Sequence, residues 1–310
     1  MLALPTRGIY RSIDEHNVKL NVFSDWIEGS ILFSEEELSS TDVIDVLLEG
    51  LIYDDQGFAA EIVADAWAEL QRRQARIGTG TPFSVEHRRI KRLRSWQDAP
   101  AHSFCVLLAL STWYRGWARQ FGSDYTEQGE LFELLTKESL ECQFSDWQIY
   151  HTGWSRTSAV KLAEVVSDVA DRLGEAPGQM EPWANPNANE AGLDLLCYRP
   201  FPDSRVGIPV YLMQCASGSN WDEKLDTPKL KIWTKVIQFA ATPRKAFATP
   251  FAFLDDTFAN VCNLVDGMLL DRCRLLAAYR HCENWVSPSL RDHIIAWAEP
   301  RVAALPGVDQ

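Results

Sequence analysis

The alternation of apolar and polar residues divides the chain into helical stretches, a strand-rich centre and a helical end. In STDVIDVLLEGLIYDD a Ser-Thr-Asp cap signal precedes apolar Val43, Val46, Leu47 and Leu51 at roughly helical spacing. FAAEIVADAWAELQRRQARIG repeats the period from Phe58 to a stop at Gly78, with basic residues in the last turns, where the helix dipole favours them. The Gly-Thr-Gly-Thr-Pro segment that follows predicts a loop. Further helices are predicted around HSFCVLLALSTWYRGWARQF and QGELFELLTKESLE, and SAVKLAEVVSDVADRLGE predicts one that ends near Gly174 with Pro177 beyond it.

Ala176 to Asn189 is rich in Pro, Asn and Gly without periodicity, and reads as a loop or linker. GLDLLCYRPF and PVYLMQCAS, separated by PDSRVGI, predict two strands joined by a hairpin connection. A helical stretch runs from about Pro228 to Ala241. KAFATPFAF is a third strand-like run, and its Pro250 points to an edge. GMLLDRCRLLAAYRHC and SLRDHIIAWAEPRVAAL return to helix. The order defines an α/β pattern, with a helical amino-terminal domain over 1–120 and an α/β domain over 121–310.

Composition narrows the class. With 310 residues, 46% hydrophobic and 24% charged, the chain is neither disordered nor collagen-like, and it buries cores without covalent staples. Its 7 cysteines contain no CxxC pair, which argues against a disulfide framework or a tetrathiolate zinc site and for thiols in a reducing compartment. MLALPTRGIY lacks a basic segment followed by a long apolar one, and the run from Phe104 to Leu110 falls far short of the ~18 residues a membrane span needs. The expectation is a cytoplasmic protein with no membrane partner.

A net charge of −13 disfavours polyphosphate over the average surface. The charge is unevenly spread: residues 1–80 hold 6 basic and 15 acidic side chains, residues 81–120 hold 7 and 2. HRRIKRLR gathers Arg88, Arg89, Lys91, Arg92 and Arg94 beside Trp96, a combination suited to nucleic-acid contacts. The competing reading is a solvated helix face, or a patch paired with the acidic amino-terminal region. Trp154 and Arg156 in HTGWSRT suit stacking on or clamping a backbone, against core packing of the Trp. The histidines show no HxxxH or HExxH spacing and are assigned no metal.

Asp194 interrupts an apolar strand, where a carboxylate is costly to bury without a metal or a hydrogen-bonding partner. Gln214 lies near the end of the next strand. If the two strands pair, a carboxylate and a carboxamide meet at one end of the sheet, an oxygen-rich setting for a hard dication. Glu133 in GELFELL and Glu190 in NEAGLD are further candidate ligands, and a lysine would offset charge on a scissile phosphate. The plainer readings are an amide that satisfies backbone groups and a glutamate on a solvated helix face.

GELFELL, GLDLL and LMQCAS followed by NWDEK resemble the restriction-endonuclease-like, or PD-(D/E)XK, nuclease superfamily, particularly its Mrr-like and phage-defence branches, over about residues 121–255. The resemblance implies a mixed central sheet flanked by helices and hydrolysis of DNA with Mg²⁺ (or Mn²⁺). It makes Glu133 the first-helix acid, Asp194 the main metal ligand and Gln214 the second. Where the pattern places a lysine, this chain has Ala216; Lys224 in SNWDEKL is the substitute candidate, ahead of Lys229 and Lys231.

The implied function is a Mg²⁺-dependent DNA endonuclease in a prokaryotic anti-phage defence system, working with a partner protein or as a homo-oligomer. The alternative, favoured by Ala216, is a catalytically inactive nuclease-like subunit that binds DNA or serves as a scaffold. QCASGSNW also mimics a cysteine-peptidase signature, but its nucleophile position is Asn220, which supplies no thiolate. Cys215, among apolar strand residues, reads as a buried thiol.

Overall fold

The computed structural model describes residues 1–11, 16–123, 125–152, 161–180, 183 and 192–307. From the amino terminus the elements run α1 (Leu20–Phe33), β1 (Glu37–Ser39), α2 (Ser40–Glu49), α3 (Gln56–Ile77), β2 (Phe83–Val85), β3 (Arg89–Arg92), α4 (Pro100–Trp113) and α5 (Arg115–Ala118). They continue through α6 (Thr126–Gln143), β4 (Gln148–His151), α7 (Leu162–Leu173), β5 (Ala176–Pro177), β6 (Leu195–Tyr198), β7 (Val210–Cys215), α8 (Leu230–Val236), β8 (Ile237–Gln238) and β9 (Arg244–Ala248). The last are α9 (Asp255–Val265), β10 (Gly267–Leu270), α10 (Arg272–Leu276) and α11 (Pro288–Ala303). Two compact units result, one of Met1–Ser123, Pro250–Leu254 and Arg272–Gln310, the other of Asp124–Thr249 and Asp255–Asp271.

In the first unit, local chemistry sets the helix starts. Ser39 accepts from the Asp42 N–H at 3.1 Å while Asp42 accepts from the Ser39 N–H at 2.9 Å, a capping box that opens α2. Asp55 and Ser287 cap α3 and α11. Every residue of α4 from Ala101 to Leu110 is buried, so its continuous apolar run makes a core helix. Among the described residues no helix is long and apolar enough to cross a membrane. The unit also contains a small antiparallel sheet in the order β1-β3-β2. The basic run supplies its central strand, not a helix face.

Charged groups also enter this core. Arg73 Nη1 bonds Asp25 at 2.7 Å and Glu28 at 2.8 Å, Arg73 Nε bonds Glu69 at 3.1 Å, and Arg272 Nη1 bonds Asp25 at 3.0 Å and Glu28 at 3.1 Å. His102 Nε2 meets Glu28 at 2.5 Å, and all six residues are buried. Multiple partners are what make such burial tolerable.

The second unit is built on a mixed five-stranded sheet in the order β10-β9-β7-β6-β4. β6 pairs antiparallel with both β4 and β7, whereas β9 pairs in parallel with both β7 and β10. Leu196, Val210 and Leu212 face a core cluster with Val169 of α7 and Trp233 of α8. Strand alternation sends Met213 and Cys215 to the other face, the side on which α6 packs against β7.

Two strand expectations change. β9 ends at Ala248, before Pro250, and lies between β7 and β10 instead of at an edge. GMLL, expected as helix, is the strand β10. So short an apolar run carries no distinguishing period, and its pairing with β9 decides the outcome. Gly267 permits that pairing, because a Cβ there would stand 2.0 Å from the Lys245 carbonyl oxygen.

Candidate active site at the end of the mixed sheet

Asp194 directly precedes β6, and its N–H extends the ladder by bonding the Met213 carbonyl at 2.9 Å. On its other side the Thr152 N–H reaches the Asp194 carbonyl at 3.0 Å, and the Thr152 hydroxyl lies 2.8 Å from the Leu193 carbonyl and 3.1 Å from that of Asp194. Backbone contacts from β7 and from the residue after β4 therefore hold Asp194 in place. Its carboxylate accepts from the Cys215 N–H at 2.6 Å and from the Gln214 amide nitrogen. The two residues meet at one end of the sheet, but through the amide nitrogen of Gln214 and not the expected amide oxygen.

Gln214 is 3% exposed, and both ends of its carboxamide are engaged. Its nitrogen also donates to the Cys215 carbonyl at 3.0 Å, and its oxygen faces the Thr227 hydroxyl at 3.1 Å. That hydroxyl lies 2.6 Å from the Lys224 carbonyl, so the turn that carries Lys224 is tied to the strand. Gly192, at φ +66, packs its backbone against this contact; a Cβ would stand 2.7 Å from Thr227 Cβ and 3.1 Å from Gln214 Oε1.

Glu133, on α6, meets His151 Nε2, at the end of β4, at 2.7 Å. Burial pushes the Cys215 thiol well above its ordinary 9.0, and the negative charges of Asp194 and Glu133 add to the rise. Both carboxylates are thus within electrostatic reach of one buried sulfur. A thiol so held is not a nucleophile at neutral pH.

The remaining candidates are distributed as follows. Ala216 is buried at 1% exposure. The Lys224 ammonium forms no ion pair among the described residues. A second lysine, Lys245 on β9, is 8% exposed and donates to the Leu225 carbonyl at 2.9 Å. Its pairing with Leu212 puts it on the Gln214 face of the sheet. Glu190, Trp154 and Arg156 lie outside the described residues.

The basic run belongs to the first unit and is largely paired there. Arg89 bonds Glu37 at 2.7 Å, Lys91 lies 3.7 Å from Glu37, and Arg92 lies 3.6 Å from Glu36. Arg94 donates to the Gly80 carbonyl and lies over the Tyr279 ring, whereas the Arg88 side chain makes no ion pair among the described residues. The chain matches no protein-family model, no curated protein and no solved structure.

His151, Thr152, Gly192 and Thr227 are the site residues the sequence reading missed. For Gly192 a signal existed, since a glycine two residues before a strand-borne aspartate marks a close backbone approach. His151 ends an alternating run, WQIYH, but nothing in its spacing points to Glu133.

Proposed function

We propose that the second unit is a restriction-endonuclease-like domain that hydrolyses DNA phosphodiester bonds with Mg²⁺ or Mn²⁺. The observation that carries this reading is the convergence of the Asp194 carboxylate, the Gln214 carboxamide and the Cys215 main chain at one end of the sheet. The order α6, β4, α7, β5, β6, β7, α8, β8, β9, in which β4–β6 and β6–β7 pair antiparallel and β7–β9 in parallel, supports the same reading, with α7 interposed after the first strand.

The donor set fits a hard cation. Turned over about its last torsion, the Gln214 amide presents oxygen beside the Asp194 carboxylate and the Cys215 carbonyl, and its nitrogen then donates to Thr227 Oγ1. Thr227 spends its single proton on the Lys224 carbonyl, so it is ready to accept. Asp194, Gln214 and the Cys215 carbonyl would hold the ion, with Glu133 and Glu190 as the further carboxylates. A bound dication supplies Lewis acidity toward a phosphate oxygen and a more acidic water. Lys224 offsets charge that develops on the phosphate. Glu133 is oriented by His151, and Thr152 fixes the backbone of Asp194. Arg88 to Arg94 contribute to DNA contact through the groups not spent on Glu36 and Glu37. The acidic chain acts with a partner protein or as an oligomer that supplies positive surface, in a role within prokaryotic anti-phage defence.

A second reading, a nuclease-like subunit that binds DNA or scaffolds a complex without cleaving, is favoured by Ala216. Supercoiled plasmid incubated with Mg²⁺ or Mn²⁺ separates the two. The first predicts nicking by the wild type and none by Asp194→Ala, whereas retention of plasmid without nicking supports the second. Equal nicking by both proteins defeats the assignment of the site.

A further inference from the structure

The second unit carries its positive charge unevenly. It holds 12 basic and 22 acidic side chains, yet residues 227–245 hold 5 of those 12 and no acid. The fold leads this basic stretch away from the candidate site. The Thr227 hydroxyl joins the Lys224 carbonyl to the Gln214 carboxamide, Lys245 of β9 holds the Leu225 carbonyl, and α8 begins at Leu230.

Packing decides which way α8 turns its lysines. Trp233 and Val236 are buried in the core cluster. At about 100° per residue the opposite side of the helix carries Lys231, Thr234 and Lys235, and all three are exposed. Lys229, at the start of the helix, is 57% exposed, and its contact with Asp226 at 3.9 Å is an exposed pair of little strength. Lys231 makes no ion pair among the described residues. Lys231 and Lys235 stand about 6 Å apart along the helix axis, close to two phosphate steps at the ~3.4 Å of one nucleic-acid strand.

An aromatic ring stands at the far end of this row. Lys235 Nζ lies 5.1 Å from the centre of the Trp183 ring, and Trp183 is still 51% exposed. The Trp183 N–H bonds the Met180 carbonyl at 2.7 Å, Met180 packs on the core cluster, and the Gly178 N–H bonds the Val236 carbonyl at 2.7 Å, so the indole is anchored to the end of α8. A half-open indole beside a row of ammonium groups is a platform for unpaired bases.

The same features disfavour a duplex. Double-stranded DNA carries one charge per ~1.7 Å, twice the density of one strand, and its stacked bases offer no free face to a tryptophan. Its second strand would also meet a surface of net negative charge, with Asp222, Glu223 and Asp226 exposed close to the row in sequence. A single strand needs only the narrow positive line.

We propose that α8 binds an unpaired DNA strand, with phosphates on Lys229, Lys231 and Lys235 and a base on Trp183, and leads it toward the Asp194–Gln214 end of the sheet. The choice of DNA and the destination of the strand rest on the nuclease reading; the binding needs neither metal nor cleavage. Fluorescence anisotropy of the full chain in EDTA tests it with labelled oligothymidylate, its duplex with oligoadenylate, and oligouridylate. The variants are the Lys231→Glu, Lys235→Glu double substitution, Trp183→Ala, and Arg205→Glu as a control at a side chain 84% exposed, with urea melts to check that each is folded. Oligothymidylate should bind about tenfold more tightly than the duplex and no more weakly than oligouridylate, with a log–log salt slope of about −2 for three lysines. The double variant should weaken it at least about tenfold and flatten the slope, Trp183→Ala should weaken it about fivefold or more at unchanged slope, and Arg205→Glu should bind like the wild type. The proposal is overturned if no strand binds at low salt, if the duplex binds as tightly or oligouridylate more tightly, or if either the folded double variant or folded Trp183→Ala binds like the wild type. Intact strand binding by a wild type that nicks no plasmid defeats the nuclease reading and leaves this one standing.

Discussion

Glu28→Gln isolates the buried ionic cluster, because it removes one charge while keeping shape. Glu28 Oε2 accepts from Arg73 at 2.8 Å and Arg272 at 3.1 Å, and Oε1 from His102 at 2.5 Å. At an effective dielectric of about 20 the contact at 2.8 Å alone has a gross attraction of about 6 kcal/mol. Desolvation of the ions cancels much of this, so the pair adds little net stability, but without the Glu28 charge Arg73 and Arg272 lose a carboxylate they share and keep only Asp25 and Glu69, and breaking a buried pair in this way costs about 3–5 kcal/mol. The neutral amide also turns a donor toward one of these donors. The prediction is a loss of about 3–5 kcal/mol from the unfolding transition of the first unit. With a urea slope of ~1–3 kcal/mol per molar, the midpoint falls by more than about 1 M. Glu61→Gln, at a site 70% exposed and paired with His16, is the control and shifts stability by less than about 1 kcal/mol.

Acid provides a second readout of the same cluster. Burial opposes the charge on Glu28 but is outweighed by Arg272, His102 and Arg73, so its carboxyl sits far below its ordinary 4.5. Burial also pushes His102 below its ordinary 6.5. Both groups take up a proton more readily in the unfolded chain, so their contribution is complete above pH 6.5 and is lost as the pH falls. The His102 share goes first and the Glu28 share follows below pH 4.5. A Glu28→Gln transition within about 1 kcal/mol of wild type, or wild-type stability that is flat from neutral pH down to pH 4.5, refutes this reasoning.

Other expected outcomes are more local. Gly192→Ala drives a methyl group into the Thr227–Gln214 contact and lowers plasmid nicking by about tenfold or more, read against a circular-dichroism spectrum that stays native. Lys224→Ala lowers nicking by about a hundredfold if its ammonium serves the phosphate, whereas Lys245→Met chiefly lowers the melting temperature; the reverse pattern moves the catalytic charge to Lys245. In the native protein an aromatic disulfide reagent labels exposed Cys282 first, while Cys105, Cys197 and Cys215 stay unlabelled until denaturant is added. Burial pushes Cys105 and Cys197 each to about 12, which makes the thiolate scarce as well as inaccessible.

The legible parts of the site are those in which a polar residue breaks a strong local pattern. Asp194 directly precedes one apolar strand and Gln214 lies in the next, the two joined by a turn-rich connection, so strand pairing alone brings them to a common end. The Gly174 stop of α7 is similarly local, and the Ser-Thr-Asp signal at residues 40–42 marks the start of α2 to within one residue of its actual cap, Ser39. What depends on partners distant in sequence was hidden. Glu133 has the spacing of a solvated helix residue, and only packing of α6 against β4 sets His151 beside it. HRRIKRLR looks like free positive charge until antiparallel pairing sets Lys91 opposite Glu37. Arg272, in a run that looked uniformly helical, follows a strand and enters the core of the first unit, where Asp25 and Glu28 neutralise it. Charge pairing across such separations leaves no periodic trace.

The central claim is that the Asp194–Gln214 pair grips a hard cation, and a manganese titration followed by electron paramagnetic resonance tests it most directly. The wild type should take up one ion per chain, Asp194→Ala should lose that ion, and Gln214→Glu should hold it several-fold more tightly by adding a formal charge. Absence of a bound ion in the wild type, or equal uptake by all three proteins, contradicts the account.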